Sequence, residues 1–215
     1  MTLEHLILLR HGETDWNAGF RLQGHRDIAL NELGVEQADA AAPSVAALQP
    51  DVIVSSDLQR ATQTAAPVAA LIGLRLSTDP RLRETSLGEW EGLTREEVMD
   101  GWPGMWDRWR SSSAEFSPPG GESRSQVAER AFGVVTDLDD AAHRRALLVA
   151  HGGLIVGLTG KLLGLPSAHW SVLTGVSNCH WVMVHRAGES WRLHSYNAGL
   201  GSVVLPGGED EVAGV

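Results

Sequence analysis

Two segments far apart in the chain carry the same chemistry. Arg10-His11-Gly12 closes an apolar run at residues 6–9, and His151-Gly152-Gly153 closes a second one at residues 146–150. A short continuous apolar run that stops at polar residues and glycine reads as a buried strand entering a loop. Imidazole is partly neutral near pH 7 and can serve as nucleophile or donor. Glycine lets the backbone approach a ligand, and arginine is a fixed cation for an oxyanion. A single His-Gly pair would be weak evidence. Two strand ends meeting at one sheet edge would bring two imidazoles and an arginine together.

Arg60 follows an apolar stretch at residues 51–55 and falls in the first turn of the next helix. A cation there gains nothing from the helix macrodipole, and alone it reads as a solvated residue. Together with the helix N-terminus it would make an anion site at the same edge. Glu84, Glu89 and Glu91 form a run of carboxylates. Most acidic residues in loops are solvated, the reading given to Glu89 and Glu91. One carboxyl in a phosphate pocket would protonate a departing alkoxide and then activate water.

The elements that must position these groups alternate. Strands are expected at residues 6–9, 51–55, 74–77 and 146–150, with a closing pair at 179–184 and 191–196 joined near Gly188. Helices are expected at 33–48, with Pro43 kinking or restarting it, then to about residue 72 with Ser56-Asp57 as its cap, at 123–141 and at 154–163. Residues 100–122 hold Trp102, Trp106, Trp109, a serine run and Pro118-Pro119-Gly120-Gly121, which reads as a short helix and loop laid over the sheet. This alternation predicts an α/β fold, a three-layer α/β/α sandwich on a mostly parallel sheet, with ligands at the carboxyl ends of its strands. The expectation is one domain over residues 1–205, with 206–215 a disordered Gly- and acid-rich tail.

Composition narrows the classes. The 215 residues carry a formal net charge of -10, which argues against nucleic acid and anionic membranes as partners, so any anion site must be a local cluster of positive groups. Lys161 is the only lysine and Cys179 the only cysteine. One cysteine excludes a disulfide framework and a thiolate metal cluster. No apolar stretch is long enough for a membrane span and no secretory leader is evident, so a cytoplasmic enzyme is expected. The remaining histidines, His5, His25, His143, His169, His180, His185 and His194, show no metal-ligand spacing, and neither a metal nor a cofactor is expected. A homodimer is compatible with the sequence.

The stretch Leu9-Arg10-His11-Gly12-Glu13-Thr14-Asp15-Trp16-Asn17 resembles the signature of the histidine phosphatase superfamily, the phosphoglycerate-mutase-like proteins (branch 1). The segments around Arg60, Glu84, Pro119-Gly120-Gly121-Glu122-Ser123 and Val149-Ala150-His151-Gly152-Gly153 match in the same order, over roughly residues 6–198. The resemblance implies a phosphoglycerate-mutase-like fold and a phosphohistidine intermediate on His11. It implies that Arg10, Arg60 and His151 hold the phosphate oxygens, with Gly152 beside them, and that Glu84 is general acid and base. Asn17 and Gln23 would add polar contacts to the phosphate or its ester oxygen.

These roles suit phosphoryl transfer, which needs positioning and charge neutralisation more than covalent effort. His11 must stay neutral beside two arginines, which lower its pKa, and Glu84 must enter protonated. A metal-independent phosphomonoester phosphatase is therefore favoured. A mutase using the same phosphohistidine is the alternative, disfavoured because residues 102–119 are short and supply only Arg108 and Arg110 as cations. A broad-specificity acid phosphatase is another alternative. A binding module that had lost the chemistry would not need His11, Glu84 and His151 together. The expected substrate is a small phosphorylated carboxylate or sugar acid, with Arg108, Arg110 or Arg124 meeting a carboxylate; Trp102, Trp106 and Trp109 read equally as a wall that stacks on a sugar ring and as the core face of a short amphipathic helix.

Overall fold

A computed structural model describes residues 2–111 and 114–200. The expected tail, residues 206–215, lies outside the described residues. The strands are β1 (His5–Arg10), β2 (Val52–Ser55), β3 (Leu76–Thr78), β4 (Arg145–Ala150), β5 (Trp181–Ala187) and β6 (Ser190–Ala198). They form one six-stranded sheet in the order β3-β2-β4-β1-β5-β6. The pairs β3-β2, β2-β4 and β4-β1 are parallel, and β5 and β6 are antiparallel additions.

The helices are α1 (Asp15–Ala18), α2 (Glu32–Ala46), α3 (Gln59–Ile72), α4 (Arg95–Gly101), α5 (Met105–Arg110), α6 (Arg124–Asp140) and α7 (Gly152–Leu162). Alternate residues of the central strands feed two cores. Leu6, Leu8, Ala146 and Leu148 pack with Val127, Val134, Leu154 and Leu158 of α6 and α7. Ile7, Leu9, Leu147 and Val149 pack with Val45, Ala61, Ala65 and Val68 of α2 and α3. Strands buried on both faces lose polar alternation, which is why β1 and β4 read as unbroken apolar runs. The result is the expected α/β/α arrangement. Pro43 is accommodated inside α2, which continues through it.

Two local expectations are corrected. Ser56 and Asp57 do not supply the cap of α3: its N-cap is Leu58, with no side-chain cap bond. Asp57 instead takes paired hydrogen bonds from Arg83 at 2.7 and 2.6 Å, an arrangement matched to the guanidinium fork. The tryptophans at residues 102–109 form no open wall. Trp106 and Trp109 are buried with Trp90, Phe116 and Leu22 in a separate cluster, and Trp102 packs against it. Trp90 and Trp109 meet edge to face at 5.9 Å between centroids, a geometry the ring quadrupoles favour.

Candidate active site

Sheet register creates the site. Arg10 and Ala150 are paired neighbours on parallel strands, and the His11 N–H donates to the Ala150 carbonyl at 3.0 Å. The residues that follow each strand, His11 and His151, must therefore leave the sheet side by side. Their ring centroids lie 5.1 Å apart. Both are buried, together with Arg10, Arg60, Glu84, Asn17 and Gln23.

The hydrogen-bond partners fix the tautomers. His11 Nδ1 lies 2.6 Å from the Gly12 carbonyl oxygen, which only accepts, so Nδ1 carries the proton and Nε2 keeps its lone pair. At His151 the order is reversed. Arg60 Nε–H donates to His151 Nδ1 at 3.2 Å, so the proton sits on Nε2, which is buried with no partner among the described residues. Burial, then Arg60 and Arg10, hold the His11 pKa well below the ordinary imidazole value. Burial, Arg60 and His11 do the same to His151. One ring thus presents a lone pair and the other an N–H.

Arg60 stands on the first turn of α3 and is fully buried, so the solvated reading does not hold. It donates to the Arg26 carbonyl at 2.6 Å and the Gly24 carbonyl at 2.9 Å. These bonds tie the loop bearing Gln23 to the pocket. The α3 N-terminus itself is not an open anion site: the Gln59 N–H donates to Asp27 Oδ1 at 2.7 Å. Arg10 is anchored through one nitrogen to the Val176 carbonyl at 2.6 Å. Its Nε and other terminal nitrogen are buried without a partner among the described residues. Burial lowers both guanidinium pKa values to about 10, so both remain cations at neutral pH.

Glu84 is held at the start of α7. Its Oε1 accepts from the Thr85 and Leu154 N–H groups at 2.8 and 3.0 Å, and its Oε2 from the Gly153 N–H at 3.0 Å. A carboxylate from a distant loop thus caps α7, whose N-cap is His151 and whose first residue is Gly152. Asn17 closes a capping box with Thr14; its amide nitrogen, and the amide oxygen of Gln23, are buried without partners among the described residues. An unpaired buried polar group costs roughly 1–3 kcal/mol. The unpaired atoms on Arg10, Asn17, Gln23 and His151 fall on residues the sequence singled out, and each calls for a partner that the described residues do not supply. Gly12 is required where it stands, because a Cβ there would collide with the Gly34 carbonyl.

Sequence reasoning missed several supporting residues. His25, expected to be an ordinary histidine, donates from Nε2 to the Glu84 carbonyl at 2.8 Å. Asn178 donates to the His11 carbonyl at 2.9 Å. Glu91, expected to be solvated, is largely buried and accepts from the His25 N–H at 2.9 Å. Among the described residues no group of three or more His, Cys, Asp or Glu side chains is placed to hold a metal ion.

The histidine phosphatase superfamily (branch 1) model matches residues 6–199, and the chain belongs to that family. Among curated relatives it is 44% identical to glucosyl-3-phosphoglycerate phosphatase of Mycolicibacterium vanbaalenii, over 92% of this chain and 96% of the relative. It is 37% identical to a Yersinia pestis protein named "Probable phosphoglycerate mutase", over 86% of each. A solved structure of mycobacterial glucosyl-3-phosphoglycerate phosphatase in complex with VO3 superposes with a TM-score of 0.88 at 42% identity, covering 91% of this chain and all of that one. No described helix is long and apolar enough to cross a membrane.

Proposed function

We propose that this protein hydrolyses small phosphomonoesters, without metal, through a phosphate covalently held on His11. The observation that carries the reading is the pair of opposed imidazoles, His11 with a free Nε2 lone pair and His151 with a free Nε2–H, 5.1 Å apart between two buried arginines. His11 Nε2 attacks phosphorus as the bond to the ester oxygen breaks, and the leaving oxygen takes a proton from Glu84. Glu84 Oε2 accepts one hydrogen bond where Oε1 accepts two main-chain bonds, so Oε2 keeps room for that proton. Phosphorylation leaves a positive imidazole whose Nδ1–H remains on the Gly12 carbonyl. Water then attacks phosphorus, the Nε2–P bond breaks, and Glu84 recovers its proton. Arg10, Arg60, Asn17, Gln23, His151 and the Gly152 N–H hold the phosphate oxygens throughout. We read residues 1–205 as one such unit, working in the cytoplasm on phosphorylated metabolites.

The substrate proposed is a phosphate ester bearing a carboxylate, with glucosyl-3-phosphoglycerate leading. Support comes from the name of the relatives at 44% identity and from Arg124. That guanidinium stacks on the Trp109 ring at 4.9 Å. Burial, then Arg110, lowers its pKa to about 10 against the field of Glu84, and no carboxylate pairs with it among the described residues. A half-buried cation near Glu84 is suited to a second anionic group on the substrate. Mutase chemistry is the second reading, raised by the Yersinia relative. The test is a panel of phosphorylated metabolites. The glucosylated ester should lead in kcat/KM, with transfer between 2- and 3-phosphoglycerate negligible. Dominant transfer supports the mutase, and a flat profile leaves a broad-specificity phosphatase.

A further inference from the structure

The motif Pro119-Gly120-Gly121-Glu122-Ser123 contains none of the groups that meet the phosphate in the proposed reaction, yet it contacts the segment bearing Glu84. A Cβ on Gly88 would collide with the Pro119 carbonyl, and one on Gly121 with the Ser86 carbonyl. The two backbones therefore lie directly against each other. Glu122 closes a ring with Ser86: its N–H donates to the Ser86 carbonyl at 2.8 Å, and its Oε2 accepts from the Ser86 N–H at 2.9 Å. Ser123 then caps α6, the helix that carries Arg130.

Arg130 uses all five guanidinium N–H groups on this segment and its neighbour. Two go to the carbonyls of Arg81 and Arg83 at 2.7 and 2.6 Å, and one to the carbonyl of Glu84 at 2.7 Å. The remaining two grip Glu122 at 3.0 and 2.9 Å. Burial works against charge on Glu122, but the Arg130 and Ser86 hydrogen bonds outweigh it and lower its pKa. His25 adds a second donor to the Glu84 carbonyl. A guanidinium that donates to three carbonyls within four residues leaves that backbone little freedom, and a lysine has too few donors to replace it.

We infer that Arg130, locked by Glu122, is a positioning residue that sets the place of the Glu84 carboxyl for proton transfer, without itself touching substrate. The inference rests on the reaction proposed above. A displacement of about 1 Å in a proton donor can lower a rate about 100-fold. The loss should fall on the step that needs the proton and should spare phosphate binding.

The experiment compares wild type, Arg130→Gln, Arg130→Lys, Glu122→Gln, Glu84→Gln and the double variant Glu84→Gln/Arg130→Gln on an alkyl phosphate and on p-nitrophenyl phosphate. Vanadate affinity reports the phosphate pocket. Arg130→Gln should lower kcat for the alkyl ester at least 10-fold more than for the nitrophenyl ester, with vanadate affinity within about 3-fold of wild type. Arg130→Lys should recover only part of the loss. The double variant should be no worse than Glu84→Gln alone, because both act on one proton. If Arg130→Gln does not fold, Glu122→Gln, which keeps Arg130, should show the same leaving-group dependence more weakly. Equal losses on both esters, or losses that multiply in the double variant, would overturn the inference. A wild type that hydrolyses neither ester would instead overturn the reaction itself.

Discussion

Arg60 Nε donates to His151 Nδ1 across 3.2 Å, a contact between residues 91 apart in sequence. That bond decides which nitrogen of His151 is left without a partner among the described residues. A doubly protonated ring would set an N–H against the arginine, so the contact and the depressed His151 pKa agree on a neutral imidazole with its proton on Nε2. In the proposed reaction this ring is a neutral donor beside a neutral nucleophile, and the positive charge of the pocket is concentrated on Arg10 and Arg60.

The first prediction concerns pH and follows from the two imidazoles. Both have folded pKa values lowered below the ordinary 6.5. As pH falls below 6.5 the unfolded chain takes up protons before the folded one, so stability is full above that value and is lost beneath it. Urea unfolding at pH 7.5, 6.5 and 5.5 should show the decline, and His151→Gln should flatten it. In the free enzyme His11 stays neutral as pH falls past 6.5, so its protonation should not cut kcat/KM until lower pH. An acidic limb of wild-type kcat/KM for p-nitrophenyl phosphate centred at or above 6.5 would contradict the assignment.

Glu84→Gln keeps the side chain's shape and removes the proton. The expected cost is about 10²–10⁴-fold in kcat for alkyl esters, with a smaller effect on the first step for p-nitrophenyl phosphate, whose leaving group needs little protonation. Steady-state and burst kinetics on both esters separate the steps. Equal losses would mean that Glu84 is not the acid. Because the carboxylate also accepts from Gly153 and Leu154 at the start of α7, a modest fall in melting temperature should accompany the change.

Much of the fold was readable from particular residues. The apolar runs at β1 and β4 announced strands buried on both faces, and the polar residues at their ends pointed to the candidate site. Arg60 and Glu84 carried weaker signals that gained meaning only with the ordered motifs. What escaped the sequence was contact between distant segments. Nothing local to Arg130 says that it will grip the carbonyls of Arg81, Arg83 and Glu84. Nothing local to Asp27 says that it will occupy the start of α3 in place of Ser56 and Asp57. The tryptophans were ambiguous for another reason. Positions 102, 106 and 109 fall at helical spacing, which serves a core face as well as an exposed wall, and burial chose the core.

Activity should survive exhaustive treatment with EDTA, and vanadate should inhibit by adopting the five-coordinate geometry of the transferred phosphoryl group. The inhibition is measured as competition with p-nitrophenyl phosphate. Activity lost on chelation and restored by added metal would refute the metal-independent mechanism.

Arg124→Gln should separate substrates by charge. For a phosphate ester carrying a carboxylate, KM should rise about 10-fold, the worth of about 1.4 kcal/mol of binding, with kcat little changed. For an alkyl phosphate with no charge beyond the phosphate it should stay within about 2-fold. The same rise for both would place Arg124 in phosphate binding or structure and leave the carboxylate without a partner.

The central claim, a phosphoryl group carried on His11 Nε2, is tested most directly by quenching the enzyme in alkali during turnover of radiolabelled substrate and mapping the label. The expected result is label on the peptide containing His11, stable in base and lost in acid, and absent from His11→Ala protein that retains its folded circular-dichroism spectrum and has lost nearly all turnover. Wild-type turnover without any labelled histidine in rapid-quench samples, or a His11→Ala variant with wild-type kcat, would contradict the account.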